Sequence, residues 1–123
     1  IGPDPRNFNQ RVSLGRNDLL IRTFPNIDII SLECHNSHVP MDLLELIRGK
    51  KVMVGAIDVA TNTIETPEEV ASTLRKALQF VDADKLYPST NCGMAPLSRQ
   101  VARGKLDALS AGAEIIRREL SAK

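Results

Sequence analysis

From Asn26 onward the apolar positions fall into short runs of two alternating kinds. Ile27, Ile29, Ile30 and Leu32 form a largely β-branched run ending at Glu33, and a run with so few polar interruptions is how a strand buried on both faces reads. Lys51 to Ile57 repeats that signature through Val52, Met53, Val54, Ala56 and Ile57, and Lys85 to Pro88 gives a third short strand. The segments between the runs carry a different period. After Pro40, Leu43, Leu44 and Ile47 recur at helical spacing over Met41 to Arg48, and Gly49 supplies a stop. Thr66, Pro67 and Glu69 place a capping hydroxyl, a proline at the first helical position and a glutamate that reaches back to the cap. This signature predicts a helix from there to about Val81, with Val70, Leu74, Ala77, Leu78 and Val81 on its buried face. Ser98 can cap a last helix whose apolar face carries Ala102, Leu106, Leu109, Ala113, Ile116 and Leu120, and Arg117, Arg118 and Lys123 suit the negative end of its dipole.

The order strand, helix, strand, helix, strand, helix predicts an α/β fold of three βα units with a parallel sheet. A complete (β/α)8 barrel takes about 250 residues, so three units correspond to roughly the last third of one. Such a piece has two open strand edges, and the face expected to lack cover holds Ile27, Ile29, Val52, Val54 and Leu86. Self-association, or marginal folding alone, is the expected consequence. Residues 1–25 sustain neither period: they hold Pro3, Pro5, Asn7, Asn9, Asn17 and Pro25, and read as an irregular segment with one short helical turn around 16–21. The regular unit is therefore 26–123.

Composition removes several classes of function. The chain has 123 residues, 42% hydrophobic and 25% charged, as an ordinary globular domain does. Lys and Arg total 16 against 15 Asp and Glu, a net charge of +1, which creates no field for gathering nucleic acid or an anionic membrane. No apolar run reaches the roughly 18 residues of a membrane helix, and no secretory signal pattern opens the chain. The cytoplasm is the default compartment. Two cysteines far apart, Cys34 and Cys92, do not make a disulfide framework.

Reactive polar side chains gather just after the strands: Glu33, Cys34, His35 and His38 after the first, Asp58, Thr61 and Asn62 after the second, Asn91 and Cys92 after the third. In parallel α/β folds that is the edge where sites are built. Glu33 and Cys92, with His35 or His38, offer the O, S and N donors that zinc accepts, although their spacing matches no standard zinc motif. Plainer roles stand beside these. Glu33 can be an ion-pair partner at a strand end, the cysteines small packed residues, the histidines loop hydrogen-bonders, and Asp58 a loop or cap residue.

Four stretches, in order, carry a resemblance: Ile-Asp-Ile-Ile-Ser-Leu-Glu at 27–33, Val-Gly-Ala-Ile-Asp-Val at 54–59, Glu-Thr-Pro-Glu-Glu-Val at 65–70 and Ser-Thr-Asn-Cys-Gly-Met at 89–94. Together they resemble the C-terminal catalytic barrel of cobalamin-independent methionine synthase, in its short single-barrel form, from about Asn26 to Leu120. The resemblance implies a zinc-dependent methyltransferase that methylates homocysteine to methionine, with zinc holding the homocysteine sulfur as a thiolate. It implies Glu33 and Cys92 as two zinc ligands.

Three departures from the family pattern are written in the chain. The remaining two family ligands belong to a His-x-Cys motif upstream, which this sequence lacks; Cys34 and His35 are adjacent and in the opposite order. Half of the zinc ligand set is present. The long enzymes carry a histidine two residues after the aspartate matched by Asp58, thought to protonate the folate leaving group, where this chain has Ala60; alanine transfers no proton, which leaves the methyl donor open. Residues 1–25 do not match the helix and earlier strands that the family places there. The expectation is a C-terminal fragment, truncated, frame-shifted or proteolysed, inactive in isolation, with Asp58 the candidate for any catalytic role. The competing expectations are a non-catalytic remnant that self-associates and a module that binds through Glu33 and Cys92 without turnover.

Overall fold

The computed structural model describes residues 27–36, 41–47 and 49–122. The irregular segment expected over 1–25 and the candidate ligand His38 lie outside the described residues. Three strands, β1 (Ile29–Glu33), β2 (Lys51–Ile57) and β3 (Leu86–Thr90), form one parallel sheet in the order β1-β2-β3. Two α-helices, α1 (Pro67–Ala77) and α2 (Arg99–Ser121), pack on one face of it and against each other. No helix among the described residues is long and apolar enough to cross a membrane.

The helix starts are built as the caps require. The Thr66 hydroxyl accepts from the Glu69 backbone N–H at 3.1 Å and faces the Glu69 carboxylate at 3.3 Å, while Pro67 takes the first helical position, where no intrahelical donor is needed. Ser98 accepts from the Val101 N–H at 3.2 Å and opens α2 in the same way.

Several boundaries differ from the sequence expectation, each for a local reason. The segment at 41–48 is a 3-10 helix over Met41–Ile47; with Leu44 and Ile47 buried three residues apart, its apolar side fits three residues per turn. It stops at Gly49, whose φ of 99° favours a residue without Cβ. Helix α1 ends at Ala77 rather than Val81, and the Phe80 and Val81 N–H groups both turn back onto the Ala77 carbonyl, so Val81 is buried from a turn. The third strand begins one residue late and runs to Thr90, because Lys85 closes a 3-10 turn over Ala83–Lys85. Pro88 is tolerated inside β3, which among the described residues pairs on one side only, with β2.

The register corrects the expected bare face. Ile30, Val52 and Leu86 lie in one row and Leu32, Val54 and Pro88 in another, and the helices cover both, with Val52 and Val54 fully buried. The alternate rows point away from the helices. Ile29, Met53 and Tyr87 are exposed there at 48%, 37% and 42%, so β1 is half-buried and not buried on both faces.

The buried side of α2 is also rotated from the one expected. Lys105, Ala108, Gly112, Ala113 and Ile116 are buried, whereas Leu106 and Leu120 are exposed. The cause is the contact with α1. A Cβ on Gly112 would collide with Val70 Cγ1 and lie 2.9 Å from the Pro67 carbonyl oxygen, so only glycine lets the two helices approach on that side. Across the exposed rim of the same contact Arg75 grips both carboxylate oxygens of Glu119, at 2.9 Å from Nε and 2.6 Å from Nη2.

Candidate functional site at the C-terminal edge of the sheet

Parallel pairing places every strand end on one side of the sheet. Glu33 ends β1 in register with Gly55, Gly55 is in register with Ser89, and Cys92 follows β3 two residues after Thr90. Glu33 and Cys92 therefore stand at the same C-terminal edge, and both are exposed. A structure with the two at opposite ends would have removed any shared site.

The loop bearing Cys92 is fixed by its neighbour. Asn91 donates its backbone N–H to the Ile57 carbonyl at 2.8 Å and its side-chain Nδ2 to the His35 carbonyl at 2.7 Å, which ties the loop after β3 to both other strand ends. The amide lies directly over Gly55. A Cβ there would collide with Asn91 Oδ1 and sit 2.8 Å from the Leu32 carbonyl and 2.9 Å from Asn91 Cα, so the glycine makes room for this cross-link. The Thr90 hydroxyl donates to the Cys92 carbonyl at 2.8 Å and closes the turn. Asn91 Oδ1 is buried without a hydrogen-bond partner among the described residues.

Asp58 is used within its own loop. Its Oδ1 accepts from the Ala60 N–H at 2.9 Å and its Oδ2 faces Asn36 Nδ2 at 3.4 Å, so the carboxylate holds the start of the β2–α1 connection to the loop after β1. Thr61 serves the same connection by accepting from the Thr63 N–H at 3.2 Å.

Behind this edge lies a buried ionic group that sequence reasoning missed. Lys105 of α2 is wholly buried, and its ammonium donates to Glu65 Oε1 at 2.9 Å and to the Thr63 carbonyl at 2.7 Å. The other Glu65 oxygen accepts the Asp58 backbone N–H at 2.8 Å and lies 3.8 Å from His35 Nε2. A signal for it existed. Lys105 shares a helical stripe with Ala108, Gly112 and Ile116, and a lysine inside a buried stripe requires a carboxylate partner.

The two thiols differ in chemistry. Burial pushes the Cys34 thiol up to about 11, with the backbone contact to Gly55 opposing the rise, whereas Cys92 is exposed. Only the thiolate is nucleophilic, so at pH 8 about one Cys34 in a thousand is reactive. Iodoacetamide at that pH is expected to modify Cys92 at least tenfold faster than Cys34, read by peptide mass spectrometry; equal rates would show that Cys34 is neither buried nor shifted.

As for a metal, Glu33 and Cys92 supply an oxygen and a sulfur donor suited to zinc, but among the described residues no three His, Cys, Asp or Glu side chains converge on one point. The described residues thus form no complete tetrahedral set. His35 turns its ring toward Glu65 instead of joining Glu33 and Cys92.

The arrangement matches known proteins. The family model for the cobalamin-independent synthase catalytic domain matches residues 16–114. The chain belongs to the cobalamin-independent methionine synthase family. The match begins upstream of Asn26, so the boundary drawn there from periodicity falls inside it. A methionine synthase from Thermococcus kodakarensis is 32% identical over 117 residues, which cover 93% of this chain and 35% of that one. The solved structure of a B12-independent methionine synthase from Shewanella sp. W3-18-1, in complex with selenomethionine, superimposes with a TM-score of 0.82 at 69% identity, covering 98% of this chain and 37% of that chain. A 2-hydroxypropyl-CoM lyase from Xanthobacter autotrophicus is 45% identical over 67 residues, 54% of this chain and 18% of the relative. The chain spans about a third of the length of the methionine synthases it matches. Its three βα units are the corresponding part of a (β/α)8 barrel.

Proposed function

We propose that residues 26–123 supply the C-terminal part of the barrel of a zinc-dependent methyltransferase that converts homocysteine to methionine, with Glu33 and Cys92 as two of the zinc donors, and that the chain by itself has no synthase activity. The observation that carries this reading is the placement of Glu33 and Cys92 at one edge of the parallel sheet, where Asn91 ties the Cys92 loop to His35, two residues after Glu33. A zinc ion held by Glu33 and Cys92 would lower the pKa of a thiol substrate and keep it nucleophilic at neutral pH. The protein's own part is to hold the two donors in place. Asp58, whose carboxylate oxygens face the Ala60 N–H and Asn36 Nδ2, positions that edge. Catalytic zinc normally has three protein ligands and one exchangeable position, so two donors hold it weakly. The purified 123-residue chain is expected to retain well under one zinc per chain after dialysis against a chelator. Stoichiometric, chelator-resistant zinc would overturn the proposal of an incomplete site.

A second reading, self-association without catalysis, is favoured by the exposed row Ile29, Met53 and Tyr87 between two strand edges that are unpaired among the described residues. Light scattering decides it: oligomers that persist on dilution support it, and a stable monomer that binds no apolar dye removes it.

A further inference from the structure

We infer that Lys105 is a positioning residue for the metal-donor edge, acting through Glu65 to hold the three loops that follow the strands in one register; the inference rests on the proposal that Glu33 and Cys92 are donors. The ammonium sits wholly out of solvent, on a helix that lies behind the sheet, yet its two contacts are both with the β2–α1 connection: the Thr63 carbonyl and Glu65 Oε1. Glu65 passes the constraint forward. Its second oxygen takes the Asp58 N–H, the first donor beyond the end of β2, and faces the His35 ring in the loop after β1. The His35 carbonyl in turn takes the Asn91 amide, next to Cys92 in the loop after β3. One carboxylate and one ammonium thus connect α2 to the loop that carries Asp58, to the loop that follows Glu33 and, through it, to the loop that carries Cys92.

Packing alone does not account for this arrangement. A buried ion pair is commonly no more stabilising than apolar side chains of the same volume, and the neighbouring α2 positions, Ala108 and Ile116, are apolar. What the pair adds is direction. Each Glu65 oxygen is aimed at a different partner, and neither an apolar side chain nor a neutral amide, whose NH2 would face one of the two donors, can serve Lys105 and the Asp58 N–H in these positions.

The test is amide hydrogen exchange by NMR on the full 123-residue chain. The double variant E65Q/K105M removes both charges while keeping the side-chain volumes. The amides of Asp58, Cys34 and Asn91, which bond to Glu65, to the Gly55 carbonyl and to the Ile57 carbonyl, are expected to exchange at least tenfold faster relative to Val54 in β2 and Leu74 in α1. A merely structural pair would shift all five together, and that uniform result, or no change at all, would overturn the inference. The double variant E65L/K105M, which also removes both charges and leaves none stranded, gives the same readout if E65Q/K105M does not fold. The measurement needs no metal, so its failure is distinct from a failure of the donor assignment, which zinc binding reports.

Discussion

Replacing Lys105 by methionine with Glu65 left in place is expected to lower the stability of the folded chain by about 3–5 kcal/mol, since the change strands a carboxylate that is 5% exposed without its counter-ion. A domain of this size is commonly stable by only about 5–15 kcal/mol in total, so urea titration followed by circular dichroism should show a large fall in midpoint or outright unfolding. The control separates lost attraction from stranded charge. Replacing both partners, K105M with E65L, is expected to recover most of the loss; the shortfall of about 1 kcal/mol reflects the Asp58 N–H, which loses its acceptor. If the single and double variants were equally unstable, the pair would act through attraction and not through avoided desolvation. A comparison inside the same molecule sets the scale. Arg75 and Glu119 make a bidentate pair of similar length, but in solvent, and R75A is expected to leave the urea midpoint nearly unchanged.

The contrast between these pairs marks what was legible in the sequence. Capping residues act within a few positions of one another, so Thr66, Pro67 and Glu69, and likewise Ser98, announced their helix starts correctly. Parallel strand ends follow from the order of elements, and the common edge of Glu33 and Cys92 came with it. The face of α2 did not. Periodicity favoured Leu106 and Leu120 because they are large and apolar, whereas the contact with α1 is governed by a missing Cβ at Gly112 and a charge at Lys105. Both are decided by residues some forty positions away, Val70 and Glu65, which no local pattern encodes. The bare face of the sheet failed for a related reason: alternation gives two faces, but which face the helices cover depends on a register that places Val52 beside Ile30 and Leu86. The four motifs that signalled the family lie at strand ends and at the Thr66 helix start, where the backbone geometry and the chemistry coincide.

The largest functional effect should appear when the part of the barrel that the relatives carry outside the matched region is supplied. The solved Shewanella relative is 69% identical, and the matched part is 37% of its chain, so the remainder of that protein is the natural complement to supply, as a separate chain mixed in during refolding. With that segment present, zinc binding is expected to become stoichiometric, read by metal analysis after chelator dialysis, and methyl transfer to homocysteine to appear. C92A and E33A should then each weaken zinc by on the order of a hundredfold or more, since even outer partners of a metal site commonly contribute tenfold to a hundredfold. C34A should leave zinc unchanged: its thiol is held protonated up to about pH 11 by burial, and it packs with the core on the helix side of the sheet, away from Glu33. G55A makes the sharper distinction. It removes no donor, but its methyl group would press on Asn91 and the Leu32 carbonyl, so zinc affinity should fall through displacement of the Cys92 loop while the Cys92 thiol still alkylates at its ordinary rate. Retention of full zinc affinity in C92A, or its loss in C34A, would remove the assignment of the donors and with it the proposed chemistry of this edge.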